Sequence, residues 1–392
     1  YVVIKILPFR ENAAGRLERI NSFRIHMEEE PALAALKTSR AGEWADQSVL
    51  ASGSWFKIAV EESGMHKLTY EQLQEIGLQN PASVRVYGAG ARLLPEAYSE
   101  GHVDDLNSIP IYMDKGGDDL FGPGDHILFY ARGPVRWTYD EELSYYVQTL
   151  HTYSSRGYYF LSDSQGSIHS PEDAELPSGQ ASQLVSTYDY RDYLEEESYN
   201  LINSGRRWFG DNFNVNLEEN YPFALPGKVS GEPVRIRINV AARSGESSSF
   251  TIHANNDQIG SLTAASTDLS HYTSTYAYEK SNIFSYLPSL DNLTLTISYN
   301  RPNSLSQGWL DFITINGRAN LSILESQLDF RDSRSGESGT ITEFRLSNAD
   351  NSTVIWELTD PDFPENISYN LSGSTASFKV ESSPHREFIA FK

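Results

Sequence analysis

The segment Asp114-Lys115-Gly116-Gly117-Asp118-Asp119-Leu120-Phe121-Gly122-Pro123-Gly124-Asp125 gathers four carboxylates, Asp114, Asp118, Asp119 and Asp125, on one glycine-rich loop. Hard oxygen ligands on a turn suit Ca²⁺, so a structural calcium is the chemistry this loop raises. Its spacing differs from an EF-hand, whose acidic positions alternate and close with a bidentate glutamate. The competing reading is an Asx-rich hairpin turn, since Asp and Gly both tolerate turn geometry. A second grouping is Arg206-Arg207-Trp208-Phe209. An indole stacks on sugar rings and a guanidinium grips acidic sugars bidentately, which would make a glycan platform. The alternative is an interdomain plug, with Trp208 and Phe209 buried as anchors and the arginines answering acids such as Glu195 to Glu197. Trp309 is a further candidate of the same kind, and its apolar setting predicts burial.

Catalytic sets are missing. The nine histidines are scattered, and none forms the i, i+4 pair of a helical zinc site. No serine sits in a nucleophile elbow. With no cysteine in the sequence, disulfides, thiolate metal sites and a cysteine nucleophile are all excluded. A net charge of −22 opposes nucleic acid or an anionic membrane as partner. No apolar run approaches the ~20 residues that span a bilayer.

These groups need a frame to hold them. At 392 residues the chain exceeds one ordinary core. Its 23 tyrosines and 18 phenylalanines suit half-buried strands, so the expectation is a mainly β, multidomain protein. Residues 1–52 read as a hairpin and linker: Tyr1 to Leu7 is strand-like, Glu11 to Gly15 a turn, and Phe23 to Met27 a second strand. Residues 53–182 form a mixed, mostly β module. There Thr69 and Gln72 predict a capping box, Leu73 and Ile76 a buried helix face, and Gly77 a stop. The Ser-, Gly- and Pro-rich 164–182 stretch reads as a boundary.

Residues 183–325 are expected to hold a connector, helical or irregular over 187–209, and then a jelly-roll-like antiparallel sandwich. Strict alternation in Val234 to Val240, Leu293 to Ile297 and Phe312 to Ile315 gives one buried and one wet face. Residues 326–392 form a small β domain. Its closing apolar strand reads as a cut in a longer polypeptide, and the N-terminus as one from which any signal peptide has been removed. Phe378, Val380, Phe388, Ile389 and Phe391 are then expected to offer an apolar edge for a following domain.

Several segments, in this order, resemble the region upstream of the catalytic domain in PorU-type sortases, the gingipain-type cysteine peptidases of type IX secretion. They are Gly53 to Val60 with Gly64 to Thr69, Asp125 to Pro134 with Trp137, Tyr158 to Leu161 and Ser204 to Gly210. Gly308 to Ile313, Val354 to Pro361 and Arg386 to Phe391 complete the series. The resemblance implies a non-catalytic region, with the cysteine and histidine of the peptidase domain lying beyond Lys392. It implies an exported protein at the outer membrane or cell surface of a Gram-negative bacterium of the Bacteroidota. The full-length protein would remove the C-terminal signal from cargo and attach the cargo to lipopolysaccharide. Expected partners are its own catalytic domain, secretion cargo and other type IX components. No cofactor is expected apart from the calcium candidate. The rival reading is a carbohydrate-binding module or surface adhesin, because fold alone does not settle function.

Overall fold

Alternating apolar and polar residues organise the centre of the chain into two four-stranded antiparallel sheets. One sheet runs, in spatial order, Thr187–Glu195, Gln307–Asn320, Val234–Arg243 and Tyr278–Tyr286. The other runs Glu218–Ala224, Asn292–Asn300, Ser248–Ala254 and Asp257–Ala264. Ile236, Ile238, Ile313 and Ile315 of the first sheet meet Phe250, Ile252, Leu295 and Ile297 of the second in one buried cluster. Each such side chain contributes roughly 1.5–3 kcal/mol on burial. This computed structural model describes residues 9–11, 16–19, 45–97, 103–164, 168–335 and 339–392.

The chain divides into two compact units, Tyr1–Ala45 and Asp46–Lys392. In the first, Phe9–Glu11 and Leu17–Arg19 pair antiparallel, with Phe9 opposite Arg19. The strands expected at Tyr1 to Leu7 and Phe23 to Met27 lie outside the described residues; the described hairpin falls between them in sequence.

The second unit holds three modules. In the N-terminal one, a sheet ordered Phe56–Val60, Gly157–Ser162, Arg85–Tyr87 and Ser108–Ile109 packs with a sheet ordered Gly64–Thr69, His126–Ala131 and Tyr112–Asp114. The helix Tyr70–Ile76 starts at the expected capping box. Gln72 N–H donates to Thr69 Oγ1 and Thr69 N–H to Gln72 Oε1. Gly77, at φ 119°, ends the helix in a conformation that glycine adopts without a Cβ clash. The third module pairs a five-stranded with a four-stranded sheet around Phe330, Phe344, Phe378 and Phe388.

Three expectations are corrected here. The 187–209 stretch is not a helix or irregular connector at its start, because Thr187–Glu195 is a nine-residue strand. Its residues alternate: Tyr188, Tyr190 and Leu194 join the cores, while Asp189, Arg191, Tyr193 and Glu195 share the other face. Nor is 164–182 a plain linker. Glu172–Asp173 pairs parallel with Glu365–Asn366, so this stretch supplies an edge strand to the C-terminal module, and Gln183–Val185 just beyond it supplies another by pairing parallel with Thr342 to Phe344.

The third correction concerns the C-terminal strand. Glu387–Phe391 is an inner strand, paired with Gln327–Arg331 on one side and Val354–Glu357 on the other. Phe388 is 0% exposed and Phe391 2% exposed, and Phe378, Val380 and Ile389 are buried as well. The N-terminal module of the same chain covers the apolar edge: Phe391, Ile389, Trp356 and Leu358 pack against Leu128, Tyr130 and Met65.

Candidate functional site at the junction of the modules

Strict alternation predicts that the outer face of the first sandwich sheet is wet. It is covered instead over the strands Thr187–Glu195 and Gln307–Asn320, while that of Tyr278–Tyr286 stays exposed. The antiparallel hairpin Val135–Asp140 and Tyr145–Leu150 lies against the covered strands. Polar side chains that would face water must therefore find partners in the protein. Tyr145 Oη donates to the Thr314 carbonyl at 2.7 Å. Tyr146 N–H donates to Asn316 Oδ1 at 2.6 Å, and Asn316 Nδ2 returns a bond to the Tyr146 carbonyl at 3.0 Å. Arg235 Nη1 closes the hairpin tip by donating to the Leu143 and Ser144 carbonyls. Gln148 bridges two strands of the sheet, accepting from Thr314 Oγ1 and donating to Glu195 Oε2.

The charges on this face follow the same rule. Arg318 lies 2.6 Å from Asp189 Oδ1 and 2.7 Å from Asp332 Oδ1, with all three side chains largely buried. Burial holds the Asp332 carboxyl above its usual range even though Arg318 opposes the shift. Arg191, with 7% of its side chain exposed, pairs with Asp329 and lies 3.9 Å from Glu387, which also pairs with Arg331. Its guanidinium sits 5.8 Å from the Trp137 ring centre and 5.6 Å from that of Tyr146. Arg191 thus connects all three modules: its own strand, the hairpin and the C-terminal sheet.

A β-bulge shapes the far end of the face. The register shifts so that Asn239 opposes Phe312 but Val240 opposes Leu310, leaving Asp311 as the extra residue. Its carboxylate accepts from Asn239 Nδ2 and from Arg207 Nη2, both at 2.6 Å. Arg207 also bonds Glu279 at 2.7 Å. Arg207 comes from a strap pinned at its ends, where the Tyr199 and Phe209 backbones exchange hydrogen bonds of 2.8 and 2.9 Å. Phe209 buries with Trp309 and Ala241.

Of the sequence candidates, Phe209 and Trp309 are buried, but against Leu201, Ala241 and Ala277 of the same module and not between domains. Trp208 is not buried, at 40% exposed; it sits on the outer side of the strap. The arginines make their ion pairs elsewhere, Arg206 with Glu96 and Arg207 with Asp311 and Glu279, while the Arg207 charge still acts on Glu195 and Glu197. Asp114 and Asp118 each accept a backbone N–H two residues on, as Asx turns do, and Asp125 accepts from Gly122 N–H three residues back. Among the described residues no group of three or more carboxylates or imidazoles is arranged to hold a metal. The four aspartates do not converge into a calcium cage.

Asp268, Ser270 and His271 resemble a hydrolytic triad in composition only. Ser270 and Asp268 both meet the same ring nitrogen, Nδ1, so no proton relay runs through the imidazole. Where the three modules meet, a cleft of about 1130 Å³ opens. Its walls include Leu94, Trp137, Tyr193, Leu324, Arg331 and Asp362. Sequence reasoning missed this site, since its wall is the hairpin 135–150. The one available signal was the aromatic, alternating run from Val135 to Leu150.

A crystal structure of dimeric latent PorU from Porphyromonas gingivalis is similar to this chain at a TM-score of 0.76 and 26% identity. The similarity covers 88% of this chain. The chain is PorU-like. It spans 32% of the length of that PorU chain. The CBM36-1 domain of a xylanase from a Trinervitermes trinervoides hindgut metagenome matches 33% of the PorU-like chain at 10% identity and a TM-score of 0.23. The δ-endotoxin Cry8Ea1 of Bacillus thuringiensis covers 60% of it at 11% identity and a TM-score of 0.25. Likenesses that slight carry no argument about the chain. No family model matches it, and no curated protein does. Among the described residues, no helix is long and apolar enough to cross a membrane.

Proposed function

We propose that this chain is the non-catalytic N-terminal scaffold of a PorU-like cell-surface sortase. In this reading the full-length protein removes the C-terminal signal of type IX cargo at the outer membrane and attaches the cargo to lipopolysaccharide. The observation that carries the reading is the PorU similarity over 88% of the chain. Two further features support it. With no cysteine, the chain has no thiolate nucleophile of the kind a gingipain-type peptidase needs. Its three modules also pack into one body through the Trp356–Phe391 cluster and Arg191, which suits a rigid support.

Sedimentation of the chain mixed with the separately expressed catalytic domain tests the partnership. A co-sedimenting complex is expected. Independent sedimentation at tens of micromolar would leave the chain without its main proposed partner.

A further inference from the structure

Glu195 is the exception on the covered face. Arg318 and Arg191 neutralise Asp189, Asp332, Asp329 and Glu387, and Arg207 neutralises Asp311 and Glu279. Among the described residues no cation lies within ion-pair distance of Glu195. Its bonded partner is the Gln148 amide at 3.2 Å, and Gln148 belongs to the hairpin. The other end of that amide is held by Thr314. Gln148 itself is 6% exposed, so water does not readily replace the bridge.

Burial and the acids facing Glu195 make its charge costly, while the Gln148 amide and Arg207 offset part of that cost. Its own strand brings Tyr193 and, just beyond, Glu197. The neighbouring strand brings Asp311, the strap brings Arg207, and the turn before Gly64 brings Glu62 toward Tyr193. From the hairpin comes only the neutral Gln148.

We infer that Glu195 is a proton-operated latch that sets how firmly the hairpin 135–150, and with it one wall of the cleft, is docked on the sandwich. Protonated, Glu195 lies between the modules as a neutral hydrogen-bonding group. Ionised, it is a half-buried carboxylate beside two others, Asp311 and Glu197, and hairpin opening relieves it by admitting water. Burial raises the Glu195 carboxyl from 4.5 to about 7 against the opposing Gln148 bond and Arg207, with Asp311 and Glu197 adding to the rise. A carboxyl raised in the closed form binds its proton more tightly there. Closure is therefore favoured most below pH 4.5, loses ground as pH rises from there through 7, and levels off above it.

Hydrogen exchange of the amides of Tyr145 to Leu150 in the 392-residue chain, corrected for intrinsic rates and followed from pH 6 to 8.5, tests this. The opening constant is expected to rise about tenfold across that range, if the open form restores an ordinary carboxyl. Glu195→Gln should flatten the profile while keeping closed-state protection, because the amide still bonds Gln148. An unchanged opening constant in the parent chain would overturn the latch. So would a Glu195→Gln variant that keeps the parent's pH slope. Thr342→Ser, in the C-terminal core away from this face, serves as a folded control that should retain the slope.

Discussion

Arg318 has two acids and almost no water around it, and this decides what its removal would do. Arg318→Ala leaves Asp189 and Asp332 buried without a cation. Breaking a buried pair in this way costs about 3–5 kcal/mol, so the urea midpoint should fall sharply. Arg207→Ala should cost less, about 1–3 kcal/mol, because half of the Arg207 side chain is already in water. Equal, small losses in both variants would mean that the covered face is more hydrated than its hydrogen bonds indicate. Single residues were unevenly legible in the sequence. Phe209 and Trp309 sit in apolar surroundings, which announced their burial. Nothing local announced that Trp208 is exposed while its neighbour Phe209 is buried. The partner of Arg207 was equally hidden, because Asp311 reaches it only through a bulge 104 residues further on.

At the scale of elements, local chemistry was informative wherever it was sufficient. Thr69, Gln72, Leu73 and Gly77 specify a helix with a start, a buried face and a stop, and it forms as expected. Thr69→Ala should therefore cost about 1 kcal/mol, read as a shift in the unfolding midpoint with an unchanged slope. No change would mean that the cap is already satisfied by water. The Thr187–Glu195 strand was not recognised, because its tyrosines are interleaved with charges that resemble a solvated surface. Those charges are on a face that a distant hairpin covers, and no local pattern encodes that cover. The same blindness affected the C-terminal strand. Its apolar residues were read correctly as needing a partner, but the partner was already present in the His126–Ala131 strand and its neighbours.

For the whole molecule, the decisive contact is the cluster that joins the N-terminal and C-terminal modules. Trp356 and Phe391 meet edge to face at 5.3 Å, against Leu128 and Tyr130. Gln327 reinforces the join, accepting from Met65 N–H at 2.7 Å. The neighbouring Gly64 has φ 151°, a backbone conformation that residues with a Cβ rarely adopt, and a Cβ there would press on Gln327 Oε1. Trp356→Ala should destabilise the chain by roughly 3–5 kcal/mol. It should also raise hydrogen exchange in the His126–Ala131 strand before the sandwich opens. The central claim, that this body serves a peptidase domain it does not contain, is tested most directly by the rate of signal removal from a cargo C-terminal domain. Three preparations are compared: the catalytic domain alone, the same domain with this chain added, and the same domain with the Trp356→Ala chain. The account predicts that this chain alone is inactive, that adding it raises the catalytic domain's rate, and that the Trp356→Ala chain restores less. A catalytic domain that is equally fast without the chain, or turnover by the chain alone, would contradict it.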